Sequence, residues 1–213
     1  METGNELDPI MESVRNNLAA KNQAREAALA ACREALRHSA NAIRAVHRRD
    51  YADGEELIAR ANTLLSDAAA ALGGHPDIFY AGFVHNAQKE FAEACLTLAL
   101  VAGRELPTPE SLGVEYAAYL NGLGEAVGEL RRHLLDSLRS GDVDHCEECL
   151  TAMDDIYSVL VTFDYPDAMT GGLRRTTDAV RGILERTRGD LTVAVRQRDL
   201  ERKLGEFEKR VQG

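Results

Sequence analysis

The sequence predicts an all-α protein, a single-domain antiparallel bundle of six to seven helices, on three observations. Chain punctuation is sparse, with five prolines in 213 residues and glycines that fall in clusters. Between those breaks run long stretches rich in Ala, Leu, Arg and Glu, all strong helix formers. The single strand-like segment, Ile156 to Phe163, has no partner strand, so it reads as the buried end of a helix.

The elements follow in order. The stretch from Leu7 to about His47 holds no glycine and one proline near its start, and predicts one long helix. Asp53-Gly-Glu-Glu56 resembles a capping box and opens a second helix, ending near Leu72-Gly-Gly74. Pro76 suits the first position of a third, running to about Val101. Gly103 to Gly113 is the one substantial loop, with room for a short helix near Pro109. A fourth helix spans roughly Val114 to Ser140 and is broken by Gly141-Asp142. A fifth, capped around Asp144, ends before Tyr165-Pro166, and a sixth follows Gly171-Gly172 into a charged tail. Residues 1–20 and 205–213 read as peripheral helix ends.

Composition narrows the function. With 45% hydrophobic and 28% charged residues the chain has enough apolar material for a core, which excludes wholesale disorder. No apolar run approaches the roughly 20 residues that span a bilayer. The acidic start, Met1-Glu-Thr-Gly-Asn-Glu6, lacks the apolar region of a secretion signal, so a soluble, cytoplasmic protein is expected. The net charge of −10 argues against a protein coated with basic residues for DNA binding, yet a local basic surface remains open. Only four of the 25 basic residues are lysines, and arginine is the better bidentate phosphate ligand. Codon bias would produce the same preference. The four cysteines, Cys32, Cys95, Cys146 and Cys149, include one CxxC. No second pair completes a structural zinc site, and no βαβ context supports a thioredoxin-like role.

The third helix carries the most informative anomaly. Phe83, Ala87, Phe91, Ala94, Leu98 and Val101 form one apolar stripe at helical spacing, and Glu90 falls inside it with Glu93 at its edge. A carboxylate facing a core needs a basic partner, protonation or a hard cation. Two carboxylates one turn apart suit Mg²⁺; a buried ion pair is the competing explanation. Asp155, next to Asp154, borders the apolar face of the fifth helix. Glu125 and Glu129 lie opposite the apolar face of the fourth, where acids are normally solvated. A ferritin-like di-iron centre is excluded because Glu34 to His38 and Glu129 to His133 are spaced one residue too far apart. On the first helix Arg33, Arg37, Arg44 and Arg48 lie within an arc of about 60°. Such a stripe faces either a polyanion or an acidic helix. Tyr80 and His85 precede the glutamate pair and fit either nucleotide contact or packing. Gly124 and Gly128 suggest close helix packing, and no phosphate-binding glycine motif or activated nucleophile is present.

Arg33-Glu-Ala-Leu-Arg-His-Ser39, Ile43-Arg-Ala-Val-His47, Gln88-Lys-Glu-Phe-Ala-Glu-Ala94, Tyr119-Leu-Asn-Gly-Leu-Gly-Glu-Ala-Val-Gly-Glu-Leu130 and Gly141-Asp-Val-Asp144, in that order and spacing, resemble the translin/Trax family. The likeness runs from about Lys21 to Leu204. Glu90 and Glu93 match the catalytic pair of Trax-type subunits, Asp155 matches their distant aspartate, and Glu129 fits the Gly-Glu-Leu position. The resemblance implies a Trax-like, prokaryotic member that needs no separate translin partner, folded as a translin-like bundle and assembled into a hollow homo-oligomer, an octamer in the family. It implies an endoribonuclease acting on single-stranded or short RNA, with Mg²⁺ (or Mn²⁺) held by Glu90, Glu93, Asp155 and Glu129. The RNA backbone would then lie on Arg33, Arg37, Arg44 and Arg48, with His85 nearby. One departure is that Phe79 to His85 holds no arginine, where translin-type chains carry a basic region. The alternatives are a non-catalytic single-stranded RNA- or DNA-binding oligomer and a purely protein-binding bundle.

Overall fold

The computed structural model describes residues 3–212, and its regular secondary structure over that range is entirely helical. In chain order the helices are α1 (Thr3–His47), α2 (Tyr51–Ala71), α3 (Pro76–Phe79), α4 (Phe83–Val101), α5 (Pro109–Leu112), α6 (Tyr116–Ser140), α7 (Val143–Leu160), α8 (Asp167–Thr170) and α9 (Leu173–Gln212). The six expected helices are all present, with three differences of detail. The expected third helix is two, because Gly82 adopts φ +98°, a conformation that breaks the helix and that glycine alone takes up freely. Single turns α5 and α8 fill the connections, α5 capped by Thr108, whose hydroxyl accepts from the Ser111 amide at 3.2 Å. The segment Ile156 to Phe163 buries only Ile156 and Leu160, while Val159, Val161 and Phe163 are exposed.

Asp50 caps α2 by accepting from the Asp53 amide, and Asp142 caps α7 by accepting from the His145 amide. Both caps stand before the acids expected to start these helices. Gly141 ends α6 at φ +84° and turns the chain into the α6–α7 hairpin.

Helix α1 packs along α2 and α4, α4 along α6, and α6 along α7 and α9. Helix α4 therefore has neighbours on two sides, and its buried face is far wider than one stripe. Phe91, Leu96, Leu130, Met153 and Leu184 form the main core, and Leu134, Cys146, Cys149 and Leu191 a smaller one at the α6–α7 end. Burial of a side chain such as Phe91 supplies about 2–3 kcal/mol. By contrast, every residue from 7 to 20 of α1 is exposed, among them Leu7, Ile10, Met11, Val14 and Leu18. The distal part of α9 likewise exposes Val193, Leu200, Leu204, Phe207 and Val211. No helix among the described residues is long and apolar enough to cross a membrane.

Candidate metal and nucleic-acid site

The site begins with a missing side chain. At Gly122, a Cβ would lie 2.7 Å from the Lys89 carbonyl oxygen and 3.0 Å from both the Glu93 amide nitrogen and the Ala92 Cβ. Helices α4 and α6 touch backbone to backbone there, which only glycine permits. That approach sets Glu125, one turn along α6, directly across from Glu90 and Glu93 on α4. One carboxylate oxygen from each of the three lies within 4.8 Å of the others.

The burial pattern reverses the expectation. Glu93 is the buried member at 9% exposure, while Glu90 is half-buried at the rim. The second neighbour, α6, covers the side of α4 on which a single stripe would have left Glu93 at an edge. Glu125 is also only partly exposed, because the Gly122 contact draws that face of α6 against α4. A regularly solvated face was the expectation, and the glycine that overturns it stands three residues earlier.

Among the described residues one cation, Lys89, pairs with these acids. The Lys89 ammonium donates to Glu125 at 2.6 Å and lies 3.4 Å from Glu90. Burial works against its charge, but the Glu125 hydrogen bond and the two carboxylates together raise its pKa. Glu93 answers by holding its proton. Burial, then the charges of Glu90, Glu125 and Glu129, push its carboxyl up to about 8. Glu129, one turn further along α6, is occupied by His47 Nε2 of α1 at 2.5 Å, and that hydrogen bond keeps its pKa below the ordinary carboxylate range.

Beside the acids opens a cleft of about 670 Å³ lined by His85, Lys89, Glu93, Glu125 and, from the start of α9, Arg175. His85 packs against Gly171, where a Cβ would fall 2.8 Å from its Nε2. Burial, with the Lys89 charge, lowers the pKa of this imidazole. Asn121 ties the cleft wall together, donating to the Thr170 carbonyl at 2.7 Å and accepting from the Thr176 hydroxyl at 2.6 Å.

The other expected residues fall elsewhere. Asp155 is exposed on α7, a helix that packs on α6 and α9, and it does not join the carboxylate cluster. Arg33, Arg37 and Arg44 are exposed on α1, Arg48 is exposed in the turn just past its end, and none lines the cleft. Their partners are local: Arg37 pairs with Glu34, Arg44 bonds Asn41 and Arg48 pairs with Asp53. Arg48 thus meets an acid of α2, while among the described residues no acid of another helix pairs with Arg33, Arg37 or Arg44, so the interhelical alternative holds for one of the four. Sequence reasoning missed Lys89 and Arg175 as cleft cations. Arg175 carried a legible signal, a basic residue just after the paired glycines that start a helix.

Comparison with known proteins agrees with the fold. No family model matches the chain. The uncharacterized protein MJ0175 of Methanocaldococcus jannaschii is 32% identical over 200 residues, covering 92% of this chain and 86% of that protein. AfC3PO, solved in complex with duplex RNA, superposes with a TM-score of 0.80 at 34% identity, over 88% of this chain and 97% of that one. AfC3PO solved alone gives 0.80 at 33% identity, over 88% and 98%. Apo-NeC3PO gives 0.79 over 87% and 97%, at an identity of 18% that speaks for the fold alone. With the glutamate pair, the Gly-Glu-Leu segment and a shared fold over nearly its whole length, the chain belongs to the translin/Trax family.

Proposed function

We propose that this protein is a metal-dependent endoribonuclease whose hard-cation site is Glu90, Glu93 and Glu125. The carrying observation is the convergence of three carboxylates within 4.8 Å against the one Lys89 ammonium, with burial and crowding raising the carboxyl pKa of the most buried, Glu93. An all-oxygen donor set with surplus negative charge fits Mg²⁺ or Mn²⁺, which keep several waters and take two or three carboxylates. Bound there, such an ion supplies charge stabilisation at a phosphoryl oxygen and an acidified water. The chain's own residues do the rest. Glu93 would release its proton to solvent when the site is loaded, Lys89 holds Glu125 in place, and His47 holds Glu129 one turn away as an anionic neighbour. Arg175 lies in the cleft wall, where a phosphate would approach.

The substrate class is RNA, as the structure of AfC3PO with duplex RNA supports. The arginine stripe of α1 would hold the backbone without reading sequence. The exposed apolar residues at the ends of α1 and α9 suit packing against further copies, as in an oligomeric shell.

Labelled RNA, single-stranded and duplex, incubated with protein in Mg²⁺ or EDTA tests the reading. Cleavage should require Mg²⁺, vanish in E90Q, E93Q and E125Q, and persist in D155N. Cleavage that survives E93Q and E125Q places the chemistry elsewhere. The second reading, a non-catalytic RNA-binding oligomer, rests on the Lys89 ion pairs, which partly neutralise the acids without metal. Tight binding with no cleavage in any metal would establish it.

A further inference from the structure

A second group of ligand atoms lies at the α6–α7 hairpin, chemically unlike the carboxylates. His133 on α6 and His145 on α7 meet Nε2 to Nε2 at 2.9 Å, and the Cys149 thiol lies 3.7 Å from the His145 Nε2. All three ligand atoms fall within 4.8 Å of one another. His145 and Cys149 are one turn apart on the same face of α7, and His133 reaches them from across the hairpin. His133 and Cys149 are buried, while His145 is partly open to solvent.

We infer that His133, His145 and Cys149 form a binding site for a borderline-soft divalent cation, Zn²⁺ foremost, with water as its fourth ligand. Metal–nitrogen bonds near 2.0–2.1 Å and a metal–sulfur bond near 2.3 Å, arranged tetrahedrally, require N···N of about 3.3 Å and N···S of about 3.6 Å. The His133–His145 and His145–Cys149 separations differ from these by a few tenths of an ångström, and His133 and Cys149 lie within 4.8 Å of each other. Imidazole and thiolate donors select zinc over magnesium, so the two sites would sort metals by hardness. Glu148 supplies the supporting contact that metal-bound histidines use: its carboxylate lies 3.3 Å from His145 Nδ1. A proton on that Nδ1 leaves the Nε2 lone pair free for a metal. Cys146, the other cysteine of the CxxC, is turned away, its thiol donating to the carbonyls of Asp142 and Leu134. The site therefore uses one cysteine of the pair, which explains why the CxxC spacing alone did not disclose it. Loading forms the metal–sulfur bond and releases the Cys149 proton to solvent. The ion would clamp α6 to α7 beside the turn at Gly141. A hydrogen bond from one imidazole to the other is the competing account of the short N···N contact.

Cobalt titration of the full-length, chelator-treated protein separates the two. The expected result is a saturable near-ultraviolet sulfur-to-cobalt charge-transfer band with intense visible bands of a tetrahedral ion, displaced by one equivalent of Zn²⁺. C149S should abolish the band, and E93Q/E125Q should leave it unchanged. E148Q, altering a largely exposed residue, should weaken Zn²⁺ binding by about 10–100-fold without unfolding the chain. Absence of the charge-transfer band in the wild-type protein, or its persistence in C149S, overturns the site. Neither outcome touches the nuclease reading, which is decided by RNA cleavage.

Discussion

Neutralising Glu93 should remove a pH-dependent weakness of the metal-free protein. In the unfolded chain this carboxyl ionises around 4.5, whereas in the folded protein burial and the neighbouring acids push it up to about 8. Below pH 4.5 it is protonated in both states and costs nothing. Between 4.5 and 8 the folded state holds a proton that the unfolded state has released, so stability falls by up to ~1.4 kcal/mol per pH unit. Above 8 the loss levels off at roughly 5 kcal/mol, reduced to about 2–5 kcal/mol if water relaxes the site. For a chain of this length each kcal/mol moves Tm by about 2–4 °C. Metal-free wild type, heated in EDTA at pH 5 and pH 9, should therefore lose roughly 5–15 °C more than E93Q over the same interval. Mg²⁺ added at pH 8 should recover much of that loss in the wild type and little in the variant. If the two proteins differ by under about 2 °C between pH 5 and pH 9, the burial and crowding assigned to Glu93 are wrong.

Gly122→Ala should force α4 from α6, costing about 1–3 kcal/mol in urea unfolding and weakening Mg²⁺ binding even though no ligand is changed. R37A/R44A should bind single-stranded RNA with a salt slope shallower by about 1.4, near 0.7 for each lost phosphate contact; an unchanged slope would remove the stripe from the interface. His47→Ala should cost about 1–3 kcal/mol by stranding the part-buried Glu129, measured by denaturant midpoint at neutral pH. L204E/F207E should shift self-association toward smaller species in analytical ultracentrifugation while leaving monomer helicity near that of the wild type.

The long helices were legible because their signals are local: composition, the Gly141 break, and Pro76 at a helix start. The Gly82 break inside the expected third helix was not, since one glycine in a helical pattern is usually tolerated. At the site, Glu90 and Glu93 stood out as acids among apolar neighbours. Which of them is buried depended on α6 lying against α4, a long-range fact that periodicity on one helix does not contain. Glu125 was hidden for the same reason, its role set by Gly122 and the partner backbone. Asp155 enters through the resemblance alone, and the structure leaves it exposed on α7, apart from the three converging glutamates. The His133, His145 and Cys149 group joins residues from two helices, a pairing that no single-helix spacing reveals.

The exposed ends of α1 and α9 make the order of the chain a function of its concentration. Helical turns with no tertiary partner are marginal in water, and their apolar residues gain nothing by staying helical alone. In the oligomer proposed above, packing against other protomers would supply what the chain by itself lacks, so that coiling of the ends and dissociation of copies become one linked equilibrium. Dilution alone, at constant temperature and solvent, is then a mild denaturant for residues 7–20 and the last turns of α9, lowering helical ellipticity while the Phe91 core stays intact.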